Sequence, residues 1–298
     1  GRTSPLQELQ MTTIADPNVH ALALAGSFDD CQAIVKGTFN DLEFKARHHL
    51  GAVNSVNWAR VLAQITYYVW AWLRSTDEDD QEVAFSVPTG NFGDIFAGYL
   101  AARMGVPIRR LVLATNENDI LTVFFRTGRY ARGQVVHTIT PSMDIQVASN
   151  FERWLWYRLG GDPAAVRRFM STFAESGAAC LEAPGPIDPL VRARRVDRAE
   201  TLATMRRIGE REDYVLDPHT AVGVAALAHA DVADLPPERR ICLATAHPAK
   251  FPDAVREALG RDVTHPTLEA LRTLDSHSVT LPAEAAAVRD YVEAHALA

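Results

Sequence analysis

Strand and helix patterns alternate along most of this chain, and that alternation constrains its fold more than any other feature. Short apolar runs rich in β-branched residues occupy positions 82–87 and 110–115, and each precedes a run with helical spacing. A third such pair occupies residues 240–245 and 248–260. This pattern is typical of parallel sheets with helices packed outside them. The sequence therefore predicts an α/β fold, in which ligands bind beyond the carboxyl ends of the strands.

The remaining predicted elements complete this outline. An early strand is expected at residues 19–24, and further helices are expected at residues 30–39, 55–74, 94–104 and 118–128. Between about residues 150 and 215 the sequence reads as three helices without strands, which predicts a helical insertion that covers the sheet. Within it, Arg192, Arg194 and Arg195 follow a proline-rich loop and are interpreted as a solvated turn. After residue 265 the chain is predicted to end in an alanine-rich helix.

Composition and charge narrow the possible partners. With 298 residues, of which 47% are hydrophobic, the chain is long enough for two domains with a sizeable core. A net charge of −7 argues against a nucleic-acid partner, which usually needs a basic surface. The most apolar run, residues 65–73, is too short to cross a bilayer, so no membrane partner is expected. Three cysteines show no metal-ligand spacing and cannot all pair, so we expect no metal site and a cytoplasmic location.

The segment SVPTGNFGDIFAG, residues 86–98, places Gly90, Asn91 and Gly93 between a strand and a helix. Glycine tolerates backbone angles that other residues avoid, so a tight turn is one interpretation. The alternative is an anion site, because small residues at a helix N-terminus let unpaired N–H groups reach a phosphate. The residues of the loop alone leave both interpretations open.

Eight stretches of the sequence resemble threonine synthase, of the longer type found in many bacteria and in fungi. They occur in the order of that family and cover residues 1 to about 260. The stretches are GRTSPLQELQMTT, VHALALAGSFDDCQAIVK, NSVNWARVLAQITYY, SVPTGNFGDIFAGYLAARMGVPI, LATNENDIL, SMDIQVASNFERWL, DPHTAVGVAA and ATAHPAKF. Each is a weak signal alone, whereas eight in the correct order form a specific one.

The resemblance implies an enzyme of threonine biosynthesis with pyridoxal 5'-phosphate as cofactor. It also implies the fold type II architecture, shared with the tryptophan synthase β subunit, of parallel sheets flanked by helices. Such an enzyme, a carbon–oxygen lyase, converts O-phospho-L-homoserine and water into L-threonine and phosphate. Residues 1–75 would then be the C-terminal part of a small mobile domain, and residues 76–298 a large cofactor-binding domain with the insertion at about residues 150–215. The oligomeric state is left open, and a monomer is the expectation.

The family's cofactor contacts can be carried over residue by residue. The loop that matches its phosphate-binding loop consists of Gly90, Asn91, Phe92, Gly93 and Asp94. Backbone donors and the positive helix end bind a dianion without a lysine, which agrees with this role. Because its charge would repel a phosphate, Asp94 is expected to cap the loop amides instead. Thr245 matches the hydroxyl that meets the pyridine nitrogen, although it could also merely end a strand and cap the next helix.

Four polar residues near the start of a predicted helix are candidates for binding the phosphate of the substrate. These residues are Asn54, Ser55, Asn57 and Arg60. Amides, a hydroxyl and a guanidinium at a helix N-terminus suit such a group. The alternative is an N-cap at Asn54 followed by a solvated arginine. Asn116, Glu117 and Asn118, on a loop at a predicted strand end, could order the substrate or the loop, or cap the next helix. His247 and Lys250 flank the Thr245 loop, and Lys250 is either a surface residue or one that attracts a phosphate.

The lysine that links covalently to the cofactor in the family has no match in this chain. The sequence contains only Lys36, Lys45 and Lys250, and none lies in the family's phenylalanine–lysine–aspartate motif or before a serine–glycine–aspartate–threonine–glycine loop. In the family both features precede anything that matches Gly1. We therefore expect no catalytic residue in this chain, which would be an inactive N-terminally shortened fragment of the enzyme. Two alternatives are a non-catalytic protein that binds the cofactor or phosphate, and a phospho-lyase of the same fold that forms a 2-oxo acid.

Overall fold

The computed structural model describes residues 5–26, 28–182, 186–229 and 232–296. In chain order the helices are α1 (Pro5–Thr12), α2 (Phe28–Asn40), α3 (Leu42–Arg47), α4 (Trp58–Ser75), α5 (Gly93–Arg103), α6 (Ile120–Thr127), α7 (Phe151–Arg158), α8 (Pro163–Ser176), α9 (Arg198–Glu212), α10 (Pro218–Ala228), α11 (Pro252–Leu259), α12 (Pro266–Ala270) and α13 (Ala285–His295). The strands are β1 (Leu22–Ala25), β2 (Val83–Pro88), β3 (Ile108–Thr115), β4 (Arg129–Ala131), β5 (Ala178–Cys180), β6 (Val191–Arg195), β7 (Arg240–Cys242) and β8 (Val279–Pro282). Single 3₁₀ turns occupy Pro141–Met143, Pro237–Arg239, Pro248–Lys250 and Leu271–Thr273.

The chain divides into two compact units. The terminal unit comprises Gly1–Ala52 and Thr264–Ala298, and the central unit comprises Val53–Val263. The division of the enzyme into movable domains at residues 75 and 76 stays a prediction. The compact units of this chain follow other bounds, because α4 packs lengthwise on α5 and so lies in the central unit.

The central unit is built on a four-stranded parallel sheet with the strand order β6-β3-β2-β7. Every residue of β2 is buried, as expected for an inner strand that is covered on both faces. Side chains of β3 alternate between the two faces. Leu111 and Leu113 pack in the cluster that includes residues of α4 to α8. Val112 and Ala114 pack in a second cluster with residues of α10. Helices therefore cover both faces, and the predicted parallel sheet is confirmed.

An aromatic cluster closes one face of the sheet around the start of α5. Phe92 stacks on Phe125 with ring centroids 5.7 Å apart, and Phe124 meets Phe151 edge to face at 4.7 Å. Trp154 lies within the same group and donates from its indole nitrogen to Asp188 at 2.9 Å. These residues come from segments before α5, from α6 and from α7, so the cluster ties the glycine loop to the helices beside it.

Two features differ from the predicted outline of the central unit. The interval from 150 to 215 contains α7, α8 and α9 as expected, but β5 and β6 also lie in it. The arginines assigned to a solvated turn are in β6, which extends the central sheet beside β3. Arg194 is anchored there by the Glu200 carboxylate at 2.8 Å and the Ala225 carbonyl at 2.8 Å. Charged side chains hid this strand because it lies at the sheet edge, where arginine stems reach past the core to polar partners.

The terminal unit pairs β1 with β8 in parallel, a pairing that joins residues more than 250 positions apart. The predicted strand at 19–24 is confirmed in part as Leu22–Ala25, and the predicted alanine-rich helix is confirmed as α13. Asp41 caps α3 by accepting from the Phe44 amide at 3.0 Å, and it also accepts from Arg289 of α13 at 2.9 Å. Among the helices that the structure describes, none is long and apolar enough to cross a membrane.

Candidate functional site

A cleft of about 1270 Å³ runs along α4 in the central unit. Its wall contains three residues that the sequence selected for separate reasons, namely Arg60, Asp94 and Thr245. Asp94 follows β2 and Thr245 follows β7, two neighbouring strands of the sheet. The carboxyl ends of parallel strands meet at one sheet edge, where ligands bind in open α/β sheets. The structure thus brings parts of the predicted cofactor and substrate sites into one cleft.

The glycine loop presents a row of backbone N–H groups at the start of α5. The Thr89 amide donates to the Ala114 carbonyl at 2.8 Å, and the Phe96 amide donates to the Phe92 carbonyl at 3.2 Å. For the amides of residues 90–95 between them, no acceptor is found in the described part of the chain. Unpaired amides at the positive end of a helix suit an anion. The loop therefore fits the phosphate group that the family resemblance implies.

The space for a side chain is limited at both Gly90 and Gly93, and more severely at Gly90. A Cβ at Gly90 would lie 2.5 Å from the Ser142 carbonyl oxygen, so the neighbouring backbone alone excludes a larger residue. A Cβ at Gly93 would lie 3.3 Å from Asn150 Nδ2, a tight but less severe contact. The positive φ of the loop lies instead at Phe92, with φ 63°. Its ring is buried in the aromatic cluster, so only its backbone can face a ligand.

Asn150 joins the glycine loop to the segment before α4, and the sequence reasoning did not select it. Its amide and its Nδ2 both donate to the Asn91 carbonyl, at 3.1 and 3.0 Å. The same Nδ2 donates to the Ser55 carbonyl at 2.9 Å, and the residue is completely buried. This buried amide thus links the predicted cofactor segment to the predicted substrate segment. Its place within SMDIQVASNFERWL was the only signal that could have pointed to it.

Asp94 does not cap the loop amides as expected. Its Oδ1 accepts from the hydroxyl of Tyr68 at 3.3 Å, and that hydroxyl also donates to the Asp94 carbonyl at 2.9 Å. Burial raises the pKa of Asp94 to about 6, although the Tyr68 hydrogen bond acts in the opposite direction. Burial likewise raises the pKa of Tyr68 well above its ordinary value, and the Asp94 charge adds to that. The Asp94 side chain points towards α4 because Tyr68 offers it a hydrogen-bond donor there.

Thr245 lies three residues beyond the end of β7, so it does not end the strand as predicted. It is exposed on the cleft, and its backbone N–H donates to Thr220 Oγ1 at 3.2 Å. The side chain of Thr245 is therefore available while its backbone is held by α10. Thr220 lies in the DPHT stretch, to whose residues no role was predicted from the sequence.

The four candidates for binding the substrate phosphate differ in their contacts and exposure. Asn57, rather than Asn54, is the N-cap of α4, and its Oδ1 accepts from the Ala59 amide at 2.8 Å. Asn54 accepts from the Val56 amide at 3.0 Å and so closes a local turn before the helix. Ser55 Oγ lies 3.4 Å from the Ser149 hydroxyl. Arg60 is exposed on the cleft and forms no ion pair with any described residue.

The asparagines after β3 belong to a buried polar network. Asp144 Oδ1 accepts from Asn116 Nδ2 at 2.7 Å, from Asn118 Nδ2 at 3.1 Å and from the Thr138 hydroxyl at 2.6 Å. Glu117 points elsewhere and accepts from the Arg198 amide at 2.8 Å. These contacts give Asn116, Glu117 and Asn118 roles in ordering loops, one of the alternatives that the sequence left open.

Neither His247 nor any of the three lysines is among the residues that line the cleft. His247 Nδ1 accepts from the Ala249 amide at 3.2 Å and caps the turn Pro248–Lys250. Lys250 is the only lysine of the central unit by sequence, and it is not among the residues that line the cleft. Lys36 and Lys45 lie on α2 and α3 of the terminal unit. Within the described residues, no group of three or more histidines, cysteines or acids is placed to hold a metal ion.

Comparison with known proteins gives consistent similarities. A family model described as "Threonine synthase, C-terminal" matches residues 220–292. The threonine synthase of Eremothecium gossypii is 50% identical over 281 residues, covering 87% of this chain and 54% of that protein. That of Corynebacterium glutamicum is 43% identical over 302 residues, covering 98% of this chain and 62% of that protein. The crystal structure of a pyridoxal-phosphate-bound threonine synthase from Brucella melitensis matches with a TM-score of 0.90 and 45% identity, covering 100% of this chain and 64% of that one.

These matches confirm the family resemblance and the fold that it implies. They also show that the chain spans only part of its relatives, between 54% and 64% of the length of those three proteins.

Proposed function

We propose that this chain, which is homologous to the threonine synthases over most of its length, binds pyridoxal 5'-phosphate and takes part in converting O-phospho-L-homoserine and water into L-threonine and phosphate. The observation that carries this proposal is the convergence of Arg60, Asp94 and Thr245 on one cleft. The relatives supply the activity, and the cleft supplies a place for it in this chain.

The residues around the glycine loop are the ones that would hold the cofactor. Amides of Gly90, Asn91, Phe92, Gly93 and Asp94 would bind its phosphate, since they have no acceptor among the described residues. The exposed hydroxyl of Thr245 would donate to the pyridine nitrogen. A hydroxyl does not force a full proton onto that nitrogen as a carboxylic acid would. When bound, the cofactor supplies an electron sink for the negative charge that develops on the substrate carbon chain.

Arg60 is the best placed of the four candidates for the phosphate of the substrate. It is a fixed positive charge, exposed on the cleft, and without an acidic partner among the described residues. Ser55 and Asn54 precede it on the segment that Asn150 holds beside the glycine loop. Asn57 already uses its Oδ1 as a helix cap, so that oxygen is engaged within the protein. A guanidinium supported by neighbouring hydroxyl and amide donors suits a phosphate leaving group.

The proton transfers of the reaction need a base, and no lysine of the central unit lines the cleft. Protons leave Cα and Cβ before the phosphate leaves Cγ and water adds at Cβ, and a positioned amine suits these steps. Lys250 does not line the cleft, and neither other lysine lies in the central unit. We therefore propose that the catalytic amine comes from outside these 298 residues. The chain alone is expected to bind cofactor and to form no threonine.

Two measurements test this function. Equilibrium dialysis should detect binding of pyridoxal 5'-phosphate to the chain, whereas borohydride reduction should leave no stoichiometric label on Lys36, Lys45 or Lys250. A chain without affinity for the cofactor would contradict the cofactor site. Threonine formation by the chain alone, or full labelling of one lysine, would show that the catalytic base is misplaced.

A chimera tests the reaction itself. In it, this chain is joined to the part of the Corynebacterium glutamicum enzyme that it does not match. With O-phospho-L-homoserine, the chimera should release threonine and phosphate in equal amounts. Release of phosphate with a 2-oxo acid would instead assign the phospho-lyase outcome. Cofactor binding in the chain with an inactive, folded chimera would favour a non-catalytic binding protein.

The cysteines bear on the cellular compartment of this protein. All three cysteines are free thiols, which supports a reducing compartment, and we propose the cytoplasm. We propose that the protein is a monomer and that its partner is a small-molecule substrate.

A further inference from the structure

Asp217 stands where α10 begins and makes contacts that a helix cap does not require. Its Oδ1 accepts from the His219 amide at 2.9 Å, which is an ordinary N-cap bond. The same oxygen lies 3.1 Å from His219 Nδ1, and Oδ2 accepts from the Thr220 hydroxyl. All three side chains are at least 95% buried. Burial of a carboxylate is costly, and these donors offset the cost, so the network holds Asp217 in place by more than the cap.

The first arm of this network runs through His219 to the loop that confines Gly90. A carboxylate only accepts hydrogen bonds, so the His219 nitrogen facing it carries the hydrogen and Nε2 is left as an acceptor. Nε2 receives the Ser142 amide at 3.4 Å. The carbonyl of the same Ser142 is the atom that a Cβ at Gly90 would approach to 2.5 Å. The position of Ser142 therefore sets one boundary of the glycine loop.

The second arm runs through Thr220 to the other end of the cofactor site. The Thr220 hydroxyl has one hydrogen, which it donates to Asp217 Oδ2. Its oxygen is thereby oriented to accept, and it receives the Thr245 amide at 3.2 Å. Without the carboxylate the hydroxyl would be free to rotate and to lose that orientation. Thr220 thus places the backbone of the residue proposed to meet the pyridine nitrogen.

We propose that Asp217 is a positioning residue, which sets the distance between the phosphate end and the ring end of the cofactor site through its two arms. This inference rests on the proposed cofactor site. The arms reach segments 75 residues before and 28 residues after Asp217 in the sequence. A side chain that only capped α10 would leave both segments independent of it.

Hydrogen–deuterium exchange of the cofactor-free chain tests the two arms separately. Asp217→Ser keeps a good N-cap residue but replaces the carboxylate by one shorter hydroxyl, which can cap the helix without also holding the His219 ring and the Thr220 hydroxyl, so both arms are lost. It should accelerate exchange about tenfold in peptides covering residues 140–144 and 243–247, because tenfold corresponds to one lost hydrogen bond. His219→Leu should accelerate only the first peptide, and Thr220→Val only the second. The matched control is Asp162→Ser, which makes the same change at the N-cap of α8 and should accelerate neither peptide.

Binding of two probes separates this inference from the proposed function. Pyridoxal and pyridoxal 5'-phosphate differ only in the phosphate, so their affinity ratio reports on the glycine loop. His219→Leu should reduce the affinity for pyridoxal 5'-phosphate relative to that for pyridoxal about tenfold. Thr220→Val should instead weaken the binding of both probes about equally. If the wild-type chain binds neither probe, the proposed function fails while the exchange pattern still decides the inference.

The inference is overturned if Asp217→Ser accelerates exchange only in residues 217–221. It is also overturned if His219→Leu and Thr220→Val give identical patterns. Should Asp217→Ser not fold, the two single-arm variants still decide the matter, since each removes only one arm of the network.

Discussion

The glycine loop at residues 90–94 and the helix entry at residues 54–60 were both predicted to bind a phosphate, yet they differ in their exposure to solvent. The loop is enclosed: Gly90 lies against the Ser142 carbonyl, and the ring of Phe92 is buried. The helix entry is more open: Asn54 and Arg60 are exposed, and the Oδ1 atoms of Asn54 and Asn57 accept from the nearby Val56 and Ala59 amides. Distant residues hold both regions, since Ser142 borders the loop and Asn150 donates to the Ser55 carbonyl, but only in the loop is no residue exposed.

This difference suits the two ligands. A cofactor that stays bound gains affinity from a loop whose shape is set before binding, because little order is lost on association. A substrate must enter and its product must leave, so its contacts belong on an accessible surface. The comparison predicts that substitutions in the loop act on stability and cofactor together. Replacement of the exposed Arg60 at the entry should act on the substrate alone.

The largest expected effect is that of Gly90→Val. The added side chain meets the Ser142 backbone and should lower the free energy of unfolding by about 3 kcal/mol, with loss of cofactor binding. Unfolding in urea is best followed by tryptophan fluorescence, because all five tryptophans lie in the central unit. Gly37→Ala is the control, since nothing lies within 4 Å of its added Cβ and alanine favours a helix. A Gly90→Val chain of normal stability would show that the loop is not enclosed.

The second effect is pH-dependent and comes from Asp94. Its folded pKa of about 6 lies above the ordinary 3.8, so the folded state binds the proton more tightly. Stability should therefore fall as pH rises from about 4 to 6, by about 3 kcal/mol. Asp94→Asn removes the charge and still accepts from Tyr68, so it should flatten this profile and stabilise the central unit above pH 6. An unchanged pH profile of unfolding in that variant would contradict the assignment.

Arg60→Ala tests the open region. It should weaken binding of O-phospho-L-homoserine by about 1.5–3 kcal/mol, the value of one charge-assisted contact, and leave stability and cofactor binding unchanged. Titration calorimetry of the cofactor-loaded chain measures this loss. Arg74→Ala, which removes the same charge at the other end of α4, should have no effect on that affinity. If Arg60→Ala unfolds or loses cofactor, the arginine is structural.

The smallest expected effect separates the two asparagines of the helix entry. Asn57→Ala removes the N-cap of α4 and should cost about 1 kcal/mol of stability. Asn54→Ala removes one turn contact and should cost less, since the surrounding backbone is exposed. Urea unfolding of both variants measures the difference. The reverse order would move the helix cap to Asn54, which was one of the two alternatives from the sequence.

Local patterns determined much of this protein. Alternating strands and helices predicted β2, β3, α5 and the parallel sheet, because a strand that is buried on both faces forms a continuous apolar run in its own residues. Gly128 and Gly260 end their helices at φ 77° and 65°, as glycine at those positions predicts. The glycine loop was also found locally, since a turn at a helix start needs small residues close together in sequence.

Tertiary structure decided what depends on distant partners. β6 is a strand because β3 lies beside it and offers a ladder, although its arginines resemble a turn. Asp94 bonds to Tyr68, 26 residues away, instead of the loop amides next to it. Asn150 and Asp217 gain their roles only where separate segments meet, and no spacing within one segment encodes such a meeting. A buried polar group takes whichever partner the fold brings within reach, and the sequence alone does not state which partner that is.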